Sequence, residues 1–238
     1  PLVNNAVSAA FPPGSVFKPI TAAAALGADK VTAEETILDL GRYTAFSETE
    51  APGCWTWNES HTTHGYVDLH DALEGSCNYY FYEVGFRLGG GRSTGYSSDR
   101  ALAALSKYAV MFGFDHTSGM ELPESDPKIS DSDGIRSAIG QGTHLYTVSQ
   151  IARYVSTIAN RGTVYDLTLL DKLTDSEGNT IEDYPSSVYN KMEIADVDWN
   201  TIQEGLHQVA MNTKAFDGLD LTIAGKTGTA QQSKSHPN

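Results

Sequence analysis

The sequence predicts an α+β fold. Segments with helical spacing dominate the chain up to about residue 160, whereas strand composition and turn residues become frequent after residue 163. The regular alternation of strands and helices that is typical of a parallel α/β sheet is not present in the sequence. We therefore divide the chain into a helical part over residues 15–160 and a sheet-forming part over residues 163–238.

The helical part begins with an alanine-rich helix predicted over residues 15–26. Pro19 has no backbone donor and fits only the first turn of a helix, which places the helix start close to Ser15. Residues 68–88 indicate two short helices with a break at 75–78. Further helices are predicted over 100–112 and 148–160, and the segments 31–65, 89–98 and 115–133 are predicted as loops, short strands or links.

The sheet-forming part begins with a predicted hairpin. Its arms are residues 163–174 and 180–184, and the polar residues 175–179 form the turn. A helix follows over residues 196–211, with Asp198 as its expected N-cap. Residues 220–232 have strand composition, and the turn residues 233–238 predict a further strand beyond them.

Composition excludes several classes of protein. The 238 residues carry 16 Lys+Arg and 30 Asp+Glu, which gives a net charge of −14 and a sequence pI of about 4.7. A nucleic-acid-binding protein needs a basic stripe to neutralise phosphates, and the cationic residues here form no run. No stretch approaches the roughly 20 consecutive apolar residues of a membrane span. With 40% hydrophobic and 19% charged residues, the composition is that of a globular protein.

Three short motifs carry candidate chemistry: Ser15-Val-Phe-Lys18, Ser76-Cys-Asn78 and Lys226-Thr-Gly-Thr229. A serine hydroxyl is a poor nucleophile unless a base lies nearby. Lys18, one helical turn from Ser15, can be that base if burial and a second cation, Lys226, lower its pKa. The alternative for Ser15 is an ordinary helix N-cap.

The third motif also suits substrate binding. Gly228 leaves one face of the segment bare for an extended substrate, while Lys226 and the hydroxyls of Thr227 and Thr229 can hold a carboxylate. The alternative is an edge strand protected by a lysine. A second Ser-x-x-Lys, from Ser125 to Lys128, lies in an acidic, proline-broken loop and is interpreted as solvated surface.

With these motifs in this order, the chain resembles the transpeptidase domain of class B penicillin-binding proteins, which belong to the penicillin-recognising serine enzymes. The resemblance covers essentially the whole chain, through residues 5–6, 11–19, 54–55, 64–65, 72–82, 119–123, 139–142 and 224–231. It implies an antiparallel sheet flanked by helices, with a helical subdomain. It also implies at least one strand before Pro1, and two more strands and a closing helix after Gln232. We therefore expect an incomplete transpeptidase domain that either has impaired activity or borrows strand pairing from a neighbour across an exposed edge.

The resemblance implies a role for each motif residue. Ser15 would form an acyl-enzyme with a donor peptide, and Lys18 would accept the serine proton. Ser76 would relay a proton to the leaving amine, and Asn78 would hold the substrate amide. Lys226 would belong to the catalytic residues and would bind the terminal carboxylate together with Thr227 and Thr229. Substrate contacts would come from Thr227, Gly228 and Thr229, and the oxyanion hole from the backbone N–H groups of Ser15 and Thr229.

The expected function is a serine D,D-transpeptidase that cross-links peptidoglycan stem peptides ending in D-Ala-D-Ala and is acylated by β-lactams, with no metal or cofactor. The resemblance further implies action on the extracytoplasmic face of the bacterial cell membrane, in a membrane-anchored parent protein within a cell-wall synthesis complex. A β-lactam-sensing receptor domain and a D,D-carboxypeptidase remain open as alternatives. A class A β-lactamase is disfavoured because no Glu-x-x-Leu-Asn sequence follows Asn78.

Four residues allow a metal or disulfide interpretation. The spacing of Cys54, His61, His64 and Cys77 matches no closed Cys/His zinc pattern, so zinc is disfavoured. A disulfide between the two cysteines is compatible with an extracytoplasmic location. We expect two unpaired cysteines.

Overall fold

A computed structural model describes residues 3–230. In this range the chain forms ten α-helices, two short 3-10 turns and six β-strands. The helices are α1 (Asn5–Ser8), α2 (Lys18–Gly27), α3 (Trp55–Ser60), α4 (Leu69–Glu74), α5 (Asn78–Leu88), α6 (Gly91–Thr94), α7 (Ser98–Met111), α8 (Gly134–Ser137), α9 (Val148–Ala159) and α10 (Asp196–Met211). The strands are β1 (Ile37–Asp39), β2 (Gly65–Val67), β3 (Thr163–Tyr165), β4 (Lys172–Thr174), β5 (Thr180–Asp183) and β6 (Val188–Lys191).

The predicted alanine-rich helix forms, but it starts at Lys18 rather than close to Ser15, because Gly14–Phe17 form a 3-10 turn. Proline occupies the second position of α2, where a missing backbone donor costs nothing. The residues from Lys18 to Ala25 are all buried, because small alanine side chains let neighbouring elements approach the helix closely. This helix therefore runs through the core and places its first turn in the interior.

The other predicted helices also form, with differences at their ends. The segment 68–88 divides into α4 and α5, and α9 starts with a capping box between Thr147 and Gln150. The prediction of Asp198 as a cap is wrong: Ala195 is the N-cap of α10, and Asp198 lies in the first turn. A carboxylate there still interacts favourably with the helix dipole. The short helices α3 and α6 were predicted as irregular segments, since so few residues show no clear periodicity.

Three two-stranded antiparallel sheets accompany the helices: β1 with β2, β3 with β6, and β4 with β5. The predicted hairpin is correct only next to its turn, where β4 pairs with β5. Its first arm was predicted to begin at residue 163, but β3 pairs with β6 instead. The chain leaves β3 where the amide of Leu167 donates to the carbonyl of Ser118, 2.8 Å away, which ends the first arm early. Helices and antiparallel strands are thus combined as the α+β class predicts.

The strand predicted over 220–232 does not form within its described residues, 220–230. A strand needs a partner ladder, and this segment is instead bonded to α10. The amide of Gly225 donates to the carbonyl of Leu206 at 2.9 Å, and the carbonyl of Ile223 lies 2.7 Å from the ring of His207. The rest of that segment and the turn 233–238 lie outside the described residues.

A hydrophobic core joins α2, α4, α5, α7, α9 and α10. Helix α4 packs directly on α10, because Gly205 has no side chain and the Leu73 side chain fills the space above it. Among the helices of residues 3–230, none has both the length and the apolar character needed to cross a bilayer. The division into a helical and a sheet-forming part stays a prediction.

Candidate active site

Ser15 lies in the 3-10 turn that precedes α2, and backbone contacts fix this turn. The amide of Gly14 donates to the carbonyl of Gly140 at 3.0 Å, and the hydroxyl of Tyr154 donates to the carbonyl of Val16 at 3.0 Å. Gly14 has φ +55°, a conformation that a residue with a side chain rarely adopts. The turn therefore presents Ser15 from a rigid position at the start of a buried helix.

Lys18 is fully buried, and its ammonium group is bonded to the second motif. Its Nζ donates to the carbonyl of Ser76 at 2.7 Å, the hydroxyl of Ser76 at 3.0 Å and the Oδ1 of Asn78 at 2.6 Å. Burial, followed by the nearby positive charge of Lys226, lowers the pKa of Lys18 well below its usual value. Among the described residues, Lys18 makes no hydrogen bond with the Ser15 hydroxyl.

The second motif lies at the junction between α4 and α5. Ser76 adopts φ +51°, and Asn78 is the first residue of α5. Cys77 between them is the N-cap, and its Sγ accepts from the amide of Tyr80 at 3.5 Å. This tight connection directs the Ser76 and Asn78 side chains to the same partner, Lys18.

The third motif contacts the nucleophile turn through two glycines. A Cβ atom on Gly14 would lie 2.4 Å from the Thr229 carbonyl oxygen, and one on Gly228 would lie 2.6 Å from the Cγ2 of Val16. Lys226 is partly buried, which lowers its pKa to about 8, although Glu74 opposes the shift. Thr227, Gly228 and Thr229 are exposed.

The structure thus brings the three motifs together. Contacts join Lys18 to Ser76 and Asn78, and the turn that bears Ser15 to the segment 226–229; the roles of these residues stay predictions. The other Ser-x-x-Lys pair lies elsewhere: the hydroxyl of Ser125 donates to the carbonyl of Ser8, and Lys128 forms an ion pair with Asp131 at 3.3 Å. Sequence reasoning missed the backbone approach at Gly14, although Pro13-Gly14 signals a special conformation directly before Ser15.

A cluster of four donors lies beside the second motif. The ligand atoms of Asp39, Cys54, His64 and Cys77 all lie within 4.8 Å of one another. His64 Nδ1 is 2.9 Å from Asp39 Oδ2 and 3.6 Å from Cys54 Sγ, while its Nε2 is 3.1 Å from the carbonyl of Gly75. His61 is not a member, and both cysteines are free and buried, as expected.

These four residues could hold a metal ion. Two thiols, an imidazole and a carboxylate are donors that Zn²⁺ accepts in protein sites. The sequence argument against zinc uses only the spacing of the cysteines and histidines. It does not consider Asp39, which belongs to β1 and precedes Cys54 by 15 positions. The expectation that the protein uses no metal stays a prediction.

Hydrogen bonds inside the cluster favour the charged forms of Cys54, His64 and Asp39 but the neutral form of Cys77. The contact with Cys77, opposed by burial, leaves the pKa of Cys54 lowered to about 4. Hydrogen bonds to Asp39 and Cys54 raise the pKa of His64 to about 9. Burial raises the pKa of Asp39, but hydrogen bonds from His64 and Gly41 outweigh it and leave that pKa below its usual value. The contact with Cys54 and burial raise the pKa of Cys77.

Comparison with known proteins shows what this chain is similar to. The sequence model described as "Penicillin binding protein transpeptidase domain" matches residues 1–238. The peptidoglycan D,D-transpeptidase MrdA of Haemophilus influenzae is 28% identical over 256 aligned positions, which cover 97% of this chain and 36% of MrdA. The chain spans about a third of the length of the curated relatives that it matches first.

Solved structures of class B penicillin-binding proteins share the fold. Penicillin-binding protein 2B of Streptococcus pneumoniae strain R6 superposes with a TM-score of 0.79 at 25% identity, over 96% of this chain and 40% of that chain. Penicillin-binding protein A of M. tuberculosis, solved as an imipenem acyl-enzyme complex, gives a TM-score of 0.79 at 26% identity, over 97% and 51% of the two chains. The chain belongs to the penicillin-binding protein transpeptidase domain family.

Proposed function

We propose that this domain is a serine-type D,D-transpeptidase that cross-links peptidoglycan stem peptides ending in D-Ala-D-Ala. One observation carries the proposal: the buried Lys18 amine joins Ser76 and Asn78 directly behind the turn that bears Ser15. The Lys18 base, the Ser76 hydroxyl and the Asn78 amide are thereby assembled close to Ser15. Ser15 is the serine that lies three residues before the buried lysine. MrdA of Haemophilus influenzae, a relative over this whole segment, carries the name of the same activity.

The first step is acylation of Ser15. Its Oγ attacks the carbonyl carbon of the penultimate D-alanine, and a new ester bond forms. The peptide C–N bond then breaks, and the terminal D-alanine leaves as an amine that has gained one proton. The serine hydroxyl loses one proton and the leaving amine gains one, so the step is balanced without a cofactor.

Lys18 and Ser76 can carry this proton. Because its pKa is lowered, the Lys18 amine is neutral in a larger fraction of molecules than an ordinary lysine at the same pH. The neutral amine has a lone pair that can accept a proton. Of its three bonded partners, the Ser76 carbonyl and Asn78 Oδ1 only accept, whereas the Ser76 hydroxyl both accepts and donates. We therefore assign Ser76 as the relay between Lys18 and the leaving amine, and Asn78 as a ligand of the substrate amide.

The third motif supplies charge and backbone donors. The ammonium of Lys226, with the hydroxyls of Thr227 and Thr229, would bind the terminal carboxylate, and the bare face of Gly228 would admit the peptide. The Ser15 and Thr229 amides would stabilise the oxyanion, with roughly 3–4 kcal/mol lost when one such donor is removed. The close contact between Gly14 and Thr229 supports this pairing of backbones.

The second step regenerates the serine. The amine of an acceptor stem peptide attacks the ester carbonyl, forms the cross-linking amide and gives its proton to the Ser76–Lys18 pair, which returns one to Ser15. A β-lactam would acylate Ser15 in the same way, as imipenem does in the M. tuberculosis relative. We propose slow hydrolysis of that adduct, because no glutamate of a Glu-x-x-Leu-Asn sequence follows the second motif.

A mass-spectrometric experiment tests the assignment. The protein is incubated with a fluorescent penicillin, and the adduct mass is followed over hours. We expect one stable adduct on the parent chain and on Ser125→Ala, the serine of the other Ser-x-x-Lys pair, and none on Ser15→Ala. Absence of an adduct on the parent chain would contradict the proposal, and rapid loss of the adduct would indicate a β-lactamase.

Two alternatives use the same site. A D,D-carboxypeptidase would release D-alanine to water, so product analysis with and without an acceptor amine distinguishes it. A β-lactam-sensing receptor would be acylated without forming any cross-linked product. We further propose that the parent protein is membrane-anchored, belongs to a cell-wall synthesis complex and acts on the extracytoplasmic face of the membrane.

A further inference from the structure

Within the described part of the chain, the nucleophile turn, Gly14–Phe17, receives one side-chain hydrogen bond from outside the three motifs. Tyr154, in the middle of α9, is 1% exposed, and its hydroxyl donates to the carbonyl of Val16, the residue after Ser15, at 3.0 Å. The other hydrogen bonds described for Gly14–Phe17, such as the bond from the Gly14 amide to the Gly140 carbonyl, are made between backbone groups. Tyr154 therefore holds the peptide group beside the nucleophile by a bond that a single-atom change removes.

The Tyr154 ring is itself fixed by aromatic neighbours. Phe112 contacts it edge to face with ring centroids 5.2 Å apart, and Phe114 lies at 5.4 Å. Phe114 stacks in turn on Tyr146 at 4.0 Å, and the Tyr146 backbone pairs with that of Phe11, just before the turn. Burial raises the pKa of Tyr154, so its hydroxyl keeps the proton that it donates. The donor thus has one orientation, towards Val16.

The Val16 side chain connects the turn to the third motif by a direct contact. Its Cγ2 occupies the space directly over Gly228, where a Cβ atom would come within 2.6 Å. A rotation of the Val16 peptide would move this methyl group and also the backbone at Ser15. The position of one carbonyl therefore affects both the nucleophile and its distance from the carboxylate-binding segment.

We propose that Tyr154 is a positioning residue for acyl transfer, which fixes the peptide group after Ser15 and, through Val16, the spacing between the nucleophile turn and the Lys226–Thr229 segment. This inference rests on the proposed function for its kinetic part. Its structural part, the fixing of the turn, can be measured without any reaction.

The test compares Tyr154→Phe with Tyr80→Phe. Tyr80 is a matched control because its hydroxyl is also buried but has no hydrogen-bond partner within the described part of the chain. For each protein, the acylation rate is measured against the concentration of a fluorescent penicillin. Amide hydrogen exchange is recorded for residues 11–20 and 224–230, and thermal unfolding is followed in parallel.

We expect Tyr154→Phe to lower the maximal acylation rate by roughly tenfold, since small displacements of reacting groups slow catalysis strongly. The half-saturating concentration stays unchanged, exchange in the nucleophile turn becomes faster, and Tyr80→Phe behaves like the parent. A wild-type maximal rate in Tyr154→Phe overturns the proposal, as does a loss confined to the half-saturating concentration or an unchanged exchange rate. If the parent forms no adduct at all, the proposed function fails, and the exchange comparison decides separately whether Tyr154 fixes the turn.

Discussion

Gly14 and Thr229 approach so closely that a Cβ atom on Gly14 would lie 2.4 Å from the Thr229 carbonyl oxygen. Real Cβ atoms do not come this near to a backbone atom, so only glycine permits the contact. The turn that bears Ser15 and the segment Lys226–Thr229 therefore meet backbone to backbone. Their separation is set by the lack of a side chain, and it changes if one is added.

The first prediction concerns this contact. Gly14→Ala should lower the rate of penicillin acylation by about a hundredfold, because the added methyl group displaces the third motif from Ser15. Gly14 also has φ +55°, so the matched control is Gly95→Ala, where φ is +74° but no atom lies within 4 Å of the added methyl group. Stopped-flow acylation with a fluorescent penicillin measures both. Equal losses in the two variants would show that backbone strain, and not the approach to Thr229, is responsible.

Much of the helical framework could be predicted from local sequence. The alanines of α2, the break near Ser76 and the periodicity of α9 are local signals, and they predicted the helices that contain Lys18 and Tyr154. Ser15 lies instead in the 3-10 turn before its predicted helix, and Asn78 begins α5 rather than lying in the predicted break. The three motifs also lie close together in the structure. What remained unpredictable is nonlocal: β3 pairs with β6 rather than within a long hairpin, and residues 220–230 lie against α10 without a strand partner.

The site contains similar nonlocal features. Asp39 joins Cys54, His64 and Cys77 only because β1 pairs with β2 and brings its last residue beside the junction of α4 and α5. Tyr154 reaches Val16 across 138 positions of sequence. No spacing rule connects such residues, since the contacts depend on how the elements pack and not on any local pattern.

The second prediction concerns pH. Lys18 must be neutral to accept a proton, so acylation should become faster as pH rises through its lowered pKa. Above about pH 8 Lys226 loses its charge, and binding of the penicillin carboxylate should weaken. Lys226→Met removes the cation that helps to lower the pKa of Lys18, so the rising limb should move to higher pH. Rates measured between pH 5 and pH 9 test this.

Lys172 is an exposed residue of β4, and Lys172→Met is the control for the loss of one positive charge. The rising limb of its pH–rate profile should lie at the same pH as in the unsubstituted chain. If the rising limbs of the two lysine variants coincide, the charge of Lys226 does not act on Lys18.

The third prediction concerns the donor cluster. It departs from the sequence-based expectation of no metal, because the four donor atoms lie within 4.8 Å of one another. We expect the cluster to bind Zn²⁺ through two thiolates, the Asp39 carboxylate and His64 Nδ1, while His64 Nε2–H donates to the Gly75 carbonyl. His64→Ala should weaken binding more than about tenfold, whereas His61→Asn, outside the cluster, should not. Equilibrium dialysis and the rise in unfolding temperature with ZnCl₂ measure the effect. Equal binding by the two variants would show that the metal lies elsewhere.

The fourth prediction concerns stability in acid. His144 is buried against Phe17, with ring centroids 4.2 Å apart, and burial lowers its pKa to about 4, although a backbone hydrogen bond at Ser137 opposes the shift. The unfolded chain takes up a proton at about pH 6.5, so stability that is present above pH 6.5 is lost as pH falls towards 4. Between pH 7 and pH 5 this loss amounts to about 2 kcal/mol.

His144→Gln cannot gain that proton, so its free energy of unfolding should fall less than that of the parent over the same interval, by about 2 kcal/mol. Urea unfolding at pH 7 and pH 5 gives both values, and titrations of other groups are common to the two proteins and cancel in the comparison. His61→Asn removes an exposed histidine and should retain the parent's pH dependence. A parallel loss of stability in the parent and in His144→Gln would mean that His144 is protonated in the folded protein, and that the packing beneath the nucleophile turn tolerates its charge.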